Sequence, residues 1–246
     1  TSGITTNGST DVTPSGYSFD QTGKFSVLKY SGNGNTDNQV AHGIGSKPDF
    51  MMVKNMTGSI NSWAVFHKSL GNEKYFELDV NNAVADNANR WQDTDPDTVN
   101  FTTGSSDTVN NSSYDYMCYA WSEVQGYSKF GSYIGNGATD NSGPFIYTGF
   151  RPALVIIKKS SSTGSWLMYA NKTASTGNVP EGSTGVNSYL EANTTGTEQG
   201  DNPIFLFSNG FQCRDSLTQA SGATYVYMAW AEAPFVNSNG VPCNAR

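Results

Sequence analysis

The sequence predicts an all-β fold, an antiparallel β-sandwich of jelly-roll or lectin-like type, built from two degenerate copies of one unit of roughly 100 residues. The composition is the first observation: aromatic residues make up 13% of the chain and charged residues 14%. Abundant Gly, Asn, Ser and Thr are weak helix formers, whereas aromatic side chains suit a pleated surface. The second observation is an internal repeat, and the third is a set of short apolar runs bounded by turn residues. No window keeps a 3.6-residue apolar period, so we expect only short helical turns, near 69–74 and 83–90.

The repeat consists of five blocks that recur in the same order. Gly-Asn-Gly-x-Thr-Asp-Asn occupies 32–38 and again 135–141. The other pairs are KPDFMMVK at 47–54 with RPALVIIK at 151–158, SWAVF at 62–66 with SWLMY at 165–169, KYFEL at 74–78 with NSYLE at 187–191, and YMCYAWSE at 116–123 with YVYMAWAE at 225–232. Two copies indicate a duplication and not a solenoid, which needs more repeats.

The blocks set the expected domain organisation. We expect an N-terminal arm or linker at 1–23, a first β repeat at 24–125, and a second repeat with a C-terminal tail at 126–246. The short junction between the copies favours packing as one unit. Positions that recur are expected to maintain the scaffold: Gly32 and Gly135, Pro48 and Pro152, Trp63 and Trp166, Trp121 and Trp230.

Each block reads as a strand. The runs at 50–53 and 154–157 are continuously apolar, as strands buried on both faces are. A proline precedes each run, where it removes no ladder hydrogen bond. Trp63 and Val65 alternate with their neighbours at the period of a half-buried strand. The Asn-Gly of the first block predicts a tight hairpin, because both residues tolerate positive φ.

Charge and cysteine usage exclude several classes of function. The net charge is −7 and the pI about 4.7, so the chain has no basic footprint for nucleic acid. No apolar run approaches the ~20 residues of a membrane span, and we expect no membrane insertion. The three cysteines, Cys118, Cys213 and Cys243, lack metal-ligand spacing and are read as free thiols. We expect no cofactor.

The sequence offers no convincing catalytic group. His42 and His67 are the two histidines, and neither has a counterpart in the second copy. Glu123 and Glu232 could form the acid pair of a glycosidase, but their matched positions favour structural ion pairs. We therefore expect no catalytic residues and no enzymatic activity.

Two weaker patterns are candidate binding sites. Trp91, Asp93 and Asp95 lie in an acidic loop whose composition is typical of sugar binding, although an aromatic packed on the fold is the alternative. Asp37 and Asp140, in the repeated turn, are weak candidates for a Ca²⁺ site, since carboxylates ligate Ca²⁺. Asp and Asn also stabilise turns through their own backbone, which needs no metal.

Four segments carry a resemblance to a known family. They are GYSKFGSYIGNG at 126–137, GPFIYTGFRPA at 143–153, YMAWAEAPFV at 227–236 and WAVFHKSLGNEKY at 63–75. Together they resemble a repeated β domain of virion proteins of tailed phages, often of marine or cyanobacterial hosts, of the tail-fibre or host-adhesion type. The resemblance covers about residues 24 to 246 and implies a virion component without catalytic residues.

On this resemblance we expect a non-enzymatic structural protein on the surface of the virion, in a tail fibre or receptor-binding domain. A capsid decoration protein and a secreted glycan-binding module are the alternatives. We expect other virion proteins as partners and a homo-oligomer, with a trimer favoured and the N-terminal arm as a contact; a host-surface glycan is the candidate ligand. Specific recognition is expected among residues that the repeat does not match, namely His42, His67, Trp91 and Arg214.

Overall fold

A computed structural model describes residues 3–58, 62–138, 142–172 and 184–233. The fold is nearly all β with antiparallel sheets, which confirms the predicted all-β sandwich. The chain divides into two compact units. The first comprises Thr1–Asp79 and Val84–Glu123, and the second comprises Val80–Ala83 and Val124–Arg246.

The first unit contains a seven-stranded sheet and a two-stranded ribbon. The sheet has the order β1-β2-β9-β4-β5-β6-β7, and the ribbon pairs β3 with β8. A short 3-10 helix (Lys68–Leu70) and helix α1 (Ala88–Trp91) lie between strands. The strands are β1 (Gly16–Asp20), β2 (Phe25–Ser31), β3 (Asn38–Ala41), β4 (Phe50–Asn55), β5 (Ala64–His67), β6 (Lys74–Glu77), β7 (Ala85–Asp86), β8 (Asn100–Thr103) and β9 (Asp115–Trp121).

The second unit contains an eight-stranded sheet. Its order is β10-β17-β12-β13-β14-β15-β16-β11, so that β10 and β11 are its two edges. Helix α2 (Ser216–Gln219) precedes the last strand. The strands are β10 (Ser128–Ile134), β11 (Phe145–Tyr147), β12 (Pro152–Lys159), β13 (Trp166–Ala170), β14 (Thr184–Glu191), β15 (Gln199–Phe207), β16 (Gly210–Cys213) and β17 (Thr224–Ala231).

The two units arrange corresponding strands in the same order. In the first unit β2, β9, β4, β5 and β6 are successive neighbours, and in the second β10, β17, β12, β13 and β14 are. A further pair, β3 with β8 or β11 with β16, accompanies each set. Four of the five predicted blocks thus fall on equivalent strands, and the Gly-Asn-Gly block follows the first of them, β2 or β10. That the units descend from one duplicated ancestor stays a prediction.

Each unit has its own aromatic-rich core. In the first, residues of the sheet such as Tyr30, Phe66 and Tyr116 pack with Val40 and Phe101 of the ribbon. In the second, residues of β12, β13 and β17 pack with Ile146 of β11 and with residues of β15 and β16. Two layers of strands therefore enclose the core in each unit.

A buried amide holds the repeated Gly-Asn-Gly segment in both units, and we call this contact the amide clasp. Asn110 donates from Nδ2 to the carbonyl of Asn35 (2.8 Å), and Gln219 donates from Nε2 to the carbonyl of Ala138 (2.7 Å). The main-chain carbonyls of Asn110 and Gln219 accept from the N–H groups of the second glycine, at 2.9 and 2.8 Å. Both amides are fully buried.

A stacked tyrosine pair supports each clasp. The Tyr30 hydroxyl donates to the carbonyl of Val109 (2.6 Å), and the Tyr133 hydroxyl donates to that of Thr218 (2.7 Å). Their rings stack on tyrosines of the last strand, with centroids 5.2 and 5.0 Å apart. The first strand and the segment before the last strand are thereby fixed to each other.

The predicted Asn-Gly hairpin is wrong. Strand β2 pairs with β1 and β9, while β3, which follows the Gly-Asn-Gly segment, pairs with β8. The first glycine serves a close approach instead: a Cβ at Gly32 would lie 2.3 Å from the carbonyl oxygen of Asn111, and one at Gly135 would lie 2.3 Å from that of Ala220. Only glycine leaves room for the chain that carries the clasp.

The segment predicted as an arm or linker lies along the first unit. Strand β1 pairs with β2, and Val12 forms a parallel bridge to Val40 of β3. Side chains hold the segment as well, since Thr10 donates to Asn100 at 2.7 Å and Asn100 donates to Asn7 at 2.9 Å.

Residues Val80–Ala83 belong to the second unit, although the chain before and after them belongs to the first. A buried lysine of the second unit, Lys158, binds main-chain carbonyls of this segment. Nζ of Lys158, which is 0% exposed, donates to the carbonyls of Asn82 and Gly164 at 2.7 Å and contacts that of Asn81 at 3.3 Å. Burial, together with the smaller effect of the Lys159 charge, lowers the pKa of Lys158 from 10.5 to about 8. Carbonyl oxygens thus take the place of water around the ammonium group.

Replacing the clasp glycine tests the close approach. Gly135→Ala should lower the free energy of unfolding by about 2 kcal/mol, because the new methyl group meets a main-chain carbonyl that cannot move without breaking the clasp. Gly200→Ala in the same unit is the control, since nothing lies within 4 Å of its Cβ position. Urea unfolding measures both, and equal stability of the two variants would contradict the account.

Candidate functional site

Trp91, the aromatic predicted for sugar binding, is buried. It ends helix α1, which Asn87 caps by accepting from the N–H of Asn89. The indole is 1% exposed and packs edge-on against Phe66, with ring centroids 5.9 Å apart. No face of the ring is available to a ligand, so the alternative of an aromatic packed on the fold describes Trp91.

The acidic residues of the same loop do not converge on a site. Asp93 is exposed and adopts a left-handed backbone with φ 46. Asp95 forms an exposed salt bridge with Lys47, at 2.5 Å. Such an exposed bridge contributes little stability.

Of the two metal candidates, the structure describes Asp37. Asp37 is exposed in a turn with φ 58, and Asp140 lies outside the described residues. Within the described ranges, no three His, Cys, Asp or Glu side chains gather as a metal site. Over the same ranges, no helix is long and apolar enough to span a bilayer.

The two histidines accept main-chain hydrogen bonds. Nδ1 of His42 accepts from the N–H of Ile44 (3.2 Å), and its Nε2 lies 3.1 Å from the carbonyl oxygen of Asp97. Nδ1 of His67 accepts from the N–H of Ser69 at 3.1 Å. Both rings are 0% exposed, and these contacts give them structural roles.

The repeated glutamates form the structural ion pairs that their matched positions predict. Glu123 pairs with Lys68 at 2.7 Å, and Glu232 pairs with Arg151 at 3.0 Å. Cys118 and Cys213 are free and buried, and burial raises the pKa of both thiols, that of Cys213 to about 12. A thiol held protonated in this way is a poor nucleophile. Cys243 lies outside the described residues.

The recurring prolines and tryptophans take matched places in the scaffold. Pro48 precedes β4 and Pro152 begins β12. Trp63 lies below Lys54 and Trp166 below Lys158, with Nζ 5.9 and 6.0 Å from the ring centroids. Trp121 is the last residue of β9 and packs against Phe50, and Trp230 is the last but one residue of β17 and packs against Phe130.

The outer edge of β11 exposes two aromatic residues and unpaired main-chain groups. Phe145 is 46% exposed and Tyr147 is 66% exposed, whereas Ile146 between them points into the core. The Phe145 ring packs edge-on against Phe207 of β15, with centroids 5.6 Å apart. We call the residues Phe145–Tyr147 and their outward main-chain groups the open edge.

The register shows which main-chain groups the open edge presents. Thr148 donates to the carbonyl of Asn209, and Cys213 donates to that of Pro144. Residues 144, 146 and 148 therefore direct their hydrogen-bonding groups toward β16, and 145 and 147 direct theirs away from the sheet. Among the described residues, the N–H and C=O groups of Phe145 and Tyr147 meet no main-chain partner.

The first unit has an equivalent strand, and there the edge is closed. Ile44 donates to Nδ1 of His42 just as Phe150 donates to Oγ1 of Thr148, which aligns β3 with β11. In the first unit, Asp11 and Val12 donate to the carbonyl of Gln39 at 2.9 and 3.0 Å, and Ala41 donates to that of Val12 at 3.2 Å. Phe145 and Tyr147 stand where Gln39 and Ala41 stand.

Arg214 is one of the residues without a counterpart in the other repeat, at which the sequence predicts specific recognition. The Arg214 guanidinium lies over the ring of Phe205, 3.9 Å from its centroid, at the end of β16. It thus lies on the sheet that carries the open edge. The sequence does not predict the exposure of Phe145 and Tyr147, because an aromatic–aliphatic–aromatic run is equally typical of a strand buried in a core.

Comparison with known protein families assigns the chain to a family whose function is unknown. Residues 1–234 match one family, described as "Domain of unknown function (DUF7483)". The chain belongs to this family. No curated protein and no solved structure matches the chain. The family description assigns no ligand or reaction, so the geometry of the open edge carries the functional argument.

The buried His42 predicts a measurable pH dependence. Burial lowers its pKa from 6.5 to about 4, against the raising effect of Asp97. Between these values the unfolded chain binds a proton that the folded chain does not, so stability falls as the pH falls from 6.5 to 4. The loss should reach about 3 kcal/mol. His42→Thr, which copies Thr148 of the second unit, should lack this part of the loss when urea unfolding is compared at pH 7 and pH 4; an unchanged loss would contradict the assignment.

Proposed function

We propose that the protein is a non-enzymatic structural component on the surface of a tailed-phage virion, in a tail fibre or receptor-binding domain that serves host attachment. We propose further that its two units arose by duplication, and that partner chains of the virion complete its sheet edge. The open edge is the observation that carries the proposal, because the first unit closes the equivalent edge with its own chain.

The sequence resemblance supports the virion context. The segments at 126–137 and 143–153 contain β10 and β11, so the resemblance includes the strand that forms the open edge. The phage family that these segments resemble offers no catalytic residues to carry over. In the described part of the chain, His42, His67, Glu123 and Glu232 all have structural contacts, which supports a role without catalysis.

The partner proposal follows from the cost of exposed sheet edges. Unpaired main-chain groups beside apolar side chains can form hydrogen bonds with the main chain of another protein. Proteins usually protect such sheet edges with charged residues, with proline, or with a helix or loop packed over them. The open edge carries no charged residue between 143 and 150. A homo-oligomer, with a trimer favoured, stays our proposal for the assembled state, and a host-surface glycan stays a proposed receptor without an assigned residue.

Immunogold electron microscopy of intact phage particles, with antibodies against this chain, tests the proposal. Gold should lie at the tail fibres or tail tip, in few copies per particle. Gold distributed over the head would support the capsid decoration alternative and overturn host attachment. Antigen found only free in the culture fluid would overturn the virion assignment and favour a secreted module. Particles treated with pre-immune serum provide the control.

A further inference from the structure

We propose that the open edge is a strand-addition site, which binds an extended peptide segment of a partner chain in parallel with β11. The partner pairs its main chain with the outward N–H and C=O groups of Phe145 and Tyr147. An aliphatic residue of the partner lies opposite Ile146. This inference names the contact made by the virion partner, and for that identity it rests on the proposed function.

The molecule already contains this interaction once. Val12 pairs with Val40 in a parallel bridge, and its N–H and C=O groups bond to Gln39 and Ala41 on the outer side of β3. These bonds join main-chain groups of the two segments. One side chain also takes part, because the N–H of Gln39 donates to the Asp11 carboxylate at 2.9 Å. Phe145 and Tyr147 present the same main-chain groups on β11.

The burial of Val40 shows what the segment that pairs with β3 contributes to the core. Val40 is 0% exposed, and Val12 packs against the same core. Its counterpart Ile146 is 7% exposed. A β-branched or other aliphatic residue placed opposite Ile146 would cover it as Val12 covers Val40. Apolar burial of this kind and two or three main-chain bonds are the usual sources of affinity in strand addition.

The size and charge of the open edge favour a short peptide over a folded surface. Two partly exposed rings offer on the order of 200 Å². A stable interface between folded proteins needs about 800 Å² on each side, several times more. The uncharged edge also gives no reason to prefer a strongly charged partner. An extended segment gains its contacts from the main chain and needs little side-chain area.

Substitutions at Tyr147 separate main-chain pairing from binding to the ring. The N–H of Tyr147 points away from β16, so Tyr147→Pro removes a donor that the sheet itself does not use. The proline ring also tolerates the extended backbone that precedes it. Tyr147→Ala removes the aromatic ring and keeps the N–H. The pair of variants therefore distinguishes the two modes of binding.

The probe is a fluorescein-labelled peptide of residues 7–14, NGSTDVTP, titrated with the full chain and followed by fluorescence anisotropy. We expect saturable binding that Tyr147→Ala changes less than about threefold and Tyr147→Pro weakens at least about tenfold. Far-UV circular dichroism and urea unfolding confirm that each variant is folded. Ile134→Ala, at the opposite edge of the same sheet and 64% exposed in the native chain, is the matched control and should bind as the wild type does.

Other outcomes overturn the inference. Absence of saturable binding by the wild-type chain, or equal binding by Tyr147→Pro, would exclude strand addition at β11. Equal loss in Tyr147→Ala and Tyr147→Pro would assign the site to the ring, as for a stacked sugar. The test is independent of the immunogold result. Gold at the tail without peptide binding would contradict only the strand-addition site. Peptide binding without labelled particles would contradict only the virion assignment.

Discussion

The amide clasp is the constraint on which each unit depends. Asn110 and Gln219 are buried, so their amide groups depend on protein partners. The amide nitrogens of both residues donate to main-chain carbonyls of the glycine segment, whereas Oε1 of Gln219 meets no partner among the described residues. The main-chain bonds to the glycine segment and the tyrosine hydroxyl bonds form only when the first strand, the last strand and the intervening turn are in place together. Loss of one contact exposes several buried polar groups to an apolar surrounding. The clasp therefore selects one register for strands that are far apart in the chain, which a sheet of uniform apolar residues would specify less strongly.

The two units differ at the strand that follows the clasp. In the first unit the N-terminal segment closes β3, aided by the amide contacts of Asn7 and Asn100. In the second unit β11 carries two aromatic residues outward and no such cover among the described residues. On our proposal, a partner chain binds at the edge where the two units differ.

The sequence was informative where local patterns decide structure. The apolar runs at 50–53 and 154–157 became central strands, and the recurring glutamates became ion pairs. It misled at Gly32 and Gly135, because an Asn-Gly pair suits a hairpin and a close approach of two chains equally well. The burial of Trp91 and the exposure of Tyr147 could not be predicted, since both depend on which strands become neighbours. That order is set by contacts between residues distant in sequence, which turn residues and periodicity do not encode.

Hydrogen–deuterium exchange of individual amides, followed by NMR on the isolated chain, tests the contrast between the edges most directly. The N–H of Ala41 bonds to the carbonyl of Val12 and should exchange slowly. The N–H of Tyr147, at the equivalent position of β11, should exchange rapidly, while that of Ile146 between the strands should remain protected. Equal protection of Ala41 and Tyr147 would mean that β11 is already paired in the free chain, and it would contradict the account of an edge left open for a partner.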